Sequence, residues 1–166
     1  MNPQMLSASG LASLLLLSGL ASNAAWAASE QQHKANQGAH MNWEKTGLDK
    51  IIKTDALHIS VLRDDGVTYG TPTFIWCVQV KGDLYVRAYN GIQSRWYQAA
   101  LKQKAGRIIA AGKTHDVTFK TISGAFNDHI DDAYRAKYGT SSYLGAMISE
   151  RSRAATVLVL SRDGTQ

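Results

Sequence analysis

Three spacings of apolar side chains succeed one another along this chain, and each predicts a different kind of element. Residues 11–21 (LASLLLLSGLA) are apolar and uncharged throughout. That is the length of a secretory signal core and too short to span a bilayer. Ala25-Trp26-Ala27 follows, with small residues at the −3 and −1 positions of a cleavage site, so residues 1–27 are expected to be removed after Ala27. Residues 28–42 are polar and lack periodicity, the pattern of a flexible leader. Trp43, Leu48, Ile51 and Ile52 then share one face of a short helix, which Asn42 is placed to cap.

From Leu57 the period changes to two. Leu57-His58-Ile59-Ser60-Val61 alternates, and Asp64-Asp65-Gly66 turns the chain. Residues 73–80 (TFIWCVQV) form a nearly continuous apolar run, as expected of a strand covered on both faces. Lys81-Gly82-Asp83 makes a hairpin into a strand on which Leu84, Val86 and Ala88 face one way and Tyr85, Arg87 and Tyr89 the other. Ser94 stands as the N-cap of a helix over 95–104, ended by Gly106. A second hairpin joins 107–111 to 114–121 through Gly112-Lys113. Phe126, Ile130, Ala133, Tyr134 and Tyr138 then form the apolar stripe of a longer helix closing at Gly139. Residues 154–160 (AATVLVL) complete the set as a buried strand. Five to six strands joined mainly by hairpins, with two or three helices, define an α+β domain over 43–166, mainly antiparallel and partly closed into a barrel.

The expected signal peptide sets the compartment. The segment before the apolar core has no Lys or Arg and no twin-arginine pair, which fits the general secretory route and a periplasmic or secreted product, with no stable membrane anchor after cleavage. Translation from Met41 is the alternative, and would make a cytoplasmic protein. The formal net charge of +5 survives cleavage, because residues 1–27 carry no charged side chain. It favours a small anionic or phosphorylated ligand, or is simply a solvated basic surface. No Lys/Arg run or RNA-binding signature accompanies it, so nucleic acid is not expected. The single cysteine, Cys77, lies in an apolar run and is expected to be buried packing.

Several familiar chemistries lack their parts. Gly106 to Thr114 has one residue too many between its glycines for a phosphate-binding P-loop, and it lies in a strand-turn-strand context. No Gly-x-Gly-x-x-Gly follows a strand, and no Gly-x-Ser-x-Gly elbow occurs. His115-Asp116, and Asp128-His129 with Asp132, lack the spacing of a metal site and read as surface residues. Asp131-Asp132 with Arg135 reads as helix-surface ion pairing. What remains is an anion site. Arg87 projects from a strand face between Tyr85 and Tyr89, and one loop later Ser94-Arg95-Trp96 begins a helix whose N-terminus offers unpaired N–H groups. Brought together, with Tyr89, Trp96 and Tyr97 as walls and Lys102 and Arg107 beyond, these residues suit a flat phosphorylated ligand. The competing reading makes Arg87 an exposed strand residue and the aromatics core.

The succession Pro72-Thr73-Phe74-Ile75-Trp76, Asp83-Leu84-Tyr85-Val86-Arg87-Ala88-Tyr89-Asn90-Gly91 and Arg95-Trp96-Tyr97-Gln98-Ala99-Ala100-Leu101 resembles a family of small bacterial proteins known as domain of unknown function 2255. Gly106-Arg107-Ile108, residues 115–119, residues 130–139 and Arg153-Ala154-Ala155-Thr156 continue the likeness, which covers roughly 43–162. The family in turn resembles the flavin-binding split-barrel group, which includes pyridoxamine-phosphate oxidases and deazaflavin-dependent nitroreductases. The resemblance implies a split β-barrel, a homodimer with its cofactor at the subunit interface, and contacts to a cofactor phosphate from Arg87, Ser94, Arg95 and Trp96, with Tyr89 beside them. FMN or a deazaflavin is the cofactor implied, and redox chemistry the activity. Secretory export threads an unfolded chain, so any cofactor would be acquired afterwards. A non-enzymatic binding module that keeps the barrel without cofactor is therefore the second expectation.

Overall fold

The period-two stretches become strands where the alternation puts them, and the sheet they build curls until its edges meet. In the computed structural model, which describes residues 43–162, helix α1 (Lys45–Ile52) leads into β1 (Leu57–Val61), β2 (Thr73–Ile75), β3 (Cys77–Val80) and β4 (Asp83–Arg87). A 3-10 turn (Gly91–Gln93), α2 (Arg95–Gln103), β5 (Ala105–Ala110) and β6 (Lys113–Ile122) follow. Helices α3 (Phe126–Tyr138), α4 (Leu144–Met147) and α5 (Glu150–Arg153) precede the last strand, β7 (Thr156–Ser161). The expectations of a signal peptide over 1–27 and a flexible leader over 28–42 lie outside the described residues. The cap of α1 is Glu44 and not Asn42: its carboxylate accepts from the Thr46 and Gly47 backbone N–H groups at 3.0 Å each, and Trp43 precedes the helix.

All seven strands pair antiparallel, in the order β2-β1-β5-β6-β7-β4-β3. β2 and β3 are the two ends of that order, yet only Trp76 separates them in sequence. In a flat sheet, six inter-strand steps of about 4.8 Å would hold the edges roughly 29 Å apart. Successive Cα atoms span only about 3.8 Å. The sheet must therefore close into a nearly complete barrel, with Trp76 at its seam. This corrects the expectation of one strand over 73–80: the run breaks at Trp76, and its halves pair with opposite ends of the sheet. The strand count rises to seven as a result. The helix count also exceeds the two or three expected, because α4 and α5 are too short for helical periodicity to register.

Both hairpin turns need two consecutive residues at positive φ, the geometry that matches the twist of the strands they join. Lys81 (51°) and Gly82 (85°) supply it between β3 and β4, and Ala111 (50°) and Gly112 (73°) between β5 and β6. The stretch from Gly106 to Thr114 that mimics a P-loop is thus a strand hairpin. Helix α2 ends on Lys104 in the left-handed conformation, its N–H donating to the Ala100 carbonyl at 2.9 Å. Gly106, expected to close that helix, sits inside β5. There an added Cβ would lie 2.6 Å from the Ser60 carbonyl oxygen on β1.

The barrel interior is apolar. Ile59, Val61, Leu84, Val86, Ile108, Val117, Val157 and Val159 fill it, and Leu48, Ile51, Tyr97 and Ala100 pack on from α1 and α2. Trp43 is anchored there by an indole N–H donated to the Val159 carbonyl at 2.8 Å. A second apolar cluster lies outside, where Ile130, Tyr134 and Tyr138 of α3 cover Val78, Tyr85 and Leu158. β4 serves both: Leu84 and Val86 point inward, Tyr85 and Arg87 toward α3, as the alternation predicts.

Candidate functional site

The chain leaves β4 through Ala88-Tyr89-Asn90 and makes the 3-10 turn before α2 begins. Gly91 is required in that turn: it has φ 68°, and a Cβ would lie 2.6 Å from Arg151 Cγ and 2.8 Å from its carbonyl oxygen. The tight turn brings the end of β4 beside the start of α2. A cavity of about 560 Å³ opens there, walled by both elements, by β2 and by the segment leading into α4. Arg87, Tyr89, Ser94, Arg95 and Trp96 all line it, joined by Thr73, Phe74, Ile75, Trp76, Asn90, Tyr143 and Met147.

The two arginines differ completely. Arg87 is fully buried and makes five hydrogen bonds, as many as it has N–H groups. Nε donates to Thr156 Oγ1 at 2.9 Å. Nη1 donates to Asp131 Oδ1 at 2.5 Å and to the Met147 carbonyl at 3.0 Å. Nη2 donates to the backbone and side-chain oxygens of Asn127 at 3.1 and 2.8 Å. Asp131 also accepts from Arg153, whose second nitrogen reaches Asp128 at 2.8 Å. The reading of Asp131 as a surface residue is thereby corrected: only Asp132 pairs with Arg135 at the helix surface, at 2.9 Å. Arg87 is neither the exposed strand residue of one reading nor an unengaged cation. It ties β4 to α3, and it ties Met147, a cavity wall, to both.

Arg95 is exposed, and no salt bridge or hydrogen bond among the described residues engages it. It occupies the first position of α2, where the helix dipole already concentrates positive charge. The first turn contains no acidic residue, and the Ser94 side chain makes no capping hydrogen bond. A cation beside uncapped N–H groups is unfavourable for the helix and suited to an anion.

Aromatic rings surround that charge. Trp76 stacks on Tyr138 with centroids 4.0 Å apart and planes 4° from parallel. Phe74 and Tyr143 are 63% and 61% exposed at the mouth, and Tyr89 meets Tyr143 edge-on at 6.3 Å. Tyr97, expected as a wall, instead turns into the barrel core. Its hydroxyl donates to the Ala154 carbonyl at 3.3 Å, and burial pushes its pKa up. Lys102 pairs with Asp64 at 2.8 Å, and Arg107 stacks on Tyr69 at 3.4 Å, so neither joins the cavity. Cys77 is fully buried, its thiol pKa raised by burial. Tyr143 and Met147 went unmarked by sequence reasoning, because residues 140–153 offered no periodic pattern, and in sequence Phe74 reads only as part of a strand covered on both faces.

Residues 47–159 match the family described as "Uncharacterized protein conserved in bacteria (DUF2255)". The chain belongs to this family. A comparison with curated proteins finds no match. Among solved structures, the conserved hypothetical protein Rv2991 from Mycobacterium tuberculosis is similar in fold, with a TM-score of 0.50 at 10% identity, over 75% of this chain and 84% of that one. ChuZ from Campylobacter jejuni gives a TM-score of 0.51 at 13% identity, over 73% of this chain and 55% of its own. These likenesses agree with the split-barrel resemblance of the family and concern the fold alone.

Proposed function

We propose that the cavity between β4 and α2 binds a planar ligand bearing an anionic group, a flavin-like or other phosphorylated molecule. The observation that carries this reading is Arg95: an unpaired guanidinium at an uncapped helix N-terminus, opening on an aromatic cavity. The volume of about 560 Å³ falls within the range of roughly 300–1,000 Å³ typical of small-molecule sites. Ser94 and the first N–H groups of α2 sit with Arg95 at the anion, Trp96 and Tyr89 wall the planar part, and Arg87 positions the wall from behind. FMN or a deazaflavin fits this donor set. When bound, either would supply redox chemistry.

Among the described residues, the lining includes no carboxylate, imidazole or thiol. Bond-making chemistry would therefore belong to the ligand, with the protein binding and orienting it. The same observation favours the second reading, a non-enzymatic binding module. The exposed rings of Phe74 and Tyr143 suit cover by a second copy of the chain, and the signal peptide expected at 1–27 suits an exported, periplasmic or secreted homodimer that gains its ligand after translocation.

Natively exported protein should be purified, its first residue determined, its mass in solution measured, and its absorbance recorded before and after FMN and deazaflavin are added. A chain starting at Ala28, dimeric and taking up one cofactor per subunit is the expected result. A colourless protein that ignores both cofactors would leave the binding-module reading. A chain starting at Met41 would refute export.

A further inference from the structure

Arg95 and Trp96 form a wall between two cavities. The second, about 570 Å³, lies on the other side, between α2 and the loop that follows β1, and it shares Thr73, Arg95 and Trp96 with the first. Its character differs. Arg63, Asp64, Thr71 and Gln103 line it in place of the aromatic rings.

The loop that carries Arg63 is held in shape by its own hydrogen bonds. Asp65 accepts from the backbone N–H groups of Val67 and Thr68 at 2.9 and 2.8 Å and from the Thr68 hydroxyl at 2.6 Å. Arg63 N–H donates to the Thr68 carbonyl at 2.8 Å, and Gly70 N–H to the Val61 carbonyl at 2.8 Å. The Arg63 guanidinium is oriented by Nε donating to the Tyr69 carbonyl at 3.1 Å. No salt bridge or hydrogen bond among the described residues uses its Nη groups, although its charge helps lower the pKa of Asp65. Asp64 is the one carboxylate on this lining among the described residues, and it is already matched: Lys102 and Gln103 donate to its Oδ1 at 2.8 and 2.7 Å.

We infer that Arg63 and Arg95 form a second anionic subsite, taking a diphosphate or the next negatively charged group of an extended ligand whose planar part occupies the aromatic cavity. The placement of that planar part rests on the function proposed above; the anion subsite itself does not. Two guanidiniums on one cavity, one fixed by its loop and one at a helix start, suit adjacent phosphates, which accept paired N–H donors. A mononucleotide would engage Arg95 alone, whereas a dinucleotide would engage both.

The test uses the mature domain, inorganic pyrophosphate, FMN and flavin adenine dinucleotide, with Arg63→Ala as the variant. Pyrophosphate should bind, and Arg63→Ala should weaken it about tenfold. The dinucleotide should bind about tenfold tighter than FMN, an advantage that Arg63→Ala removes while leaving FMN affinity within twofold. Wild-type indifference to pyrophosphate, or an Arg63→Ala variant with unchanged pyrophosphate affinity, would overturn the subsite. Pyrophosphate binding with no flavin binding would retain the subsite and refute the planar ligand. Flavins that bind with no advantage to the dinucleotide would refute the extended ligand and leave the first cavity as proposed.

Discussion

The interior of the barrel and the seam between its outer face and α3 are both closed to water, but they exclude it differently. Valine, leucine and isoleucine fill most of the interior, with Cys77, Ala110 and Phe119 among them, so the energy there is apolar area and tolerates modest changes of shape. At the seam, Arg87, Asp131, Asn127 and Thr156 are buried beside Tyr134. Each of these four polar side chains hydrogen-bonds to another of the four, and Asp131 also to Arg153. A network of this kind contributes little net stability when complete, because desolvating its charges offsets their attraction. It is costly when broken, and so holds its members in one geometry. The cavity borders this specified region, since Met147 is both a wall and an acceptor for Arg87.

The largest expected effect comes from breaking the seam at one point. Asp131→Ala leaves the Arg87 guanidinium buried without its anion and should cost about 3–5 kcal/mol. Ile108→Val in the interior removes one methyl group and should cost about 0.5–1.5 kcal/mol. Denaturant melts of the two variants measure both. Equal losses would mean that water or a side-chain rearrangement relieves Arg87, and that the seam is no more specified than the core.

The next contrast is between the two arginines on the same cavity. Arg95→Ala should weaken binding of the anionic ligand by about 1.5–3 kcal/mol and leave folding stability within about 0.5 kcal/mol. Arg87→Ala should lower stability through its orphaned acceptors, and affinity only through displacement of Met147. Titration with FMN, paired with thermal melts, separates the two patterns. An Arg95→Ala protein that melts earlier but binds unchanged would reverse the assignment.

Sequence spacing revealed the surroundings of Arg95 better than those of Arg87. Period two located β4 and its two faces, and the Ser94-Arg95-Trp96 start of α2 was visible as a cap followed by a helix. Their convergence on one cavity follows from the turn at Gly91, which local pattern marks only as a break. The state of Arg87 was hidden because its acceptors come from 40 to 69 residues away. A strand alternation fixes which side a residue faces, not what covers that side. The same limit concealed Asp131, whose i,i+4 relation to Arg135 suggested a surface pair until α3 turned it inward. Trp76 hid the break between β2 and β3 because an apolar run looks continuous whether its halves pair with one neighbour or with opposite edges of the sheet.

The smallest effects concern tyrosines at the seam. Tyr134 is fully buried, and among the described residues its hydroxyl makes no hydrogen bond of good geometry, only a weak polar contact with the Arg87 backbone. Burial raises its pKa far above the usual tyrosine value, and the Arg87 charge opposes that shift too weakly to cancel it. Burial likewise pushes Tyr85 up to about 12, aided by Asp83. A tyrosine whose folded pKa is raised contributes no pH-linked loss below its unfolded value near 10. Above that, the unfolded chain releases its proton first, and stability falls as pH climbs toward the folded pKa. These phenols should thus leave the melting temperature unchanged up to about pH 10 and lower it beyond. The Cys77 thiol, also raised by burial, adds a decline that begins near its ordinary value of about 8.5. Tyr134→Phe removes an unsatisfied hydroxyl and should change stability at neutral pH by less than about 0.5 kcal/mol, with any shift in the stabilising direction. It should also make the alkaline decline shallower, because one of the buried phenols no longer titrates. A neutral-pH loss above about 1 kcal/mol would show that the Tyr134 oxygen has a partner at the seam after all. The contrast would then narrow to an apolar barrel beside a polar layer in which every buried group, hydroxyls included, is held.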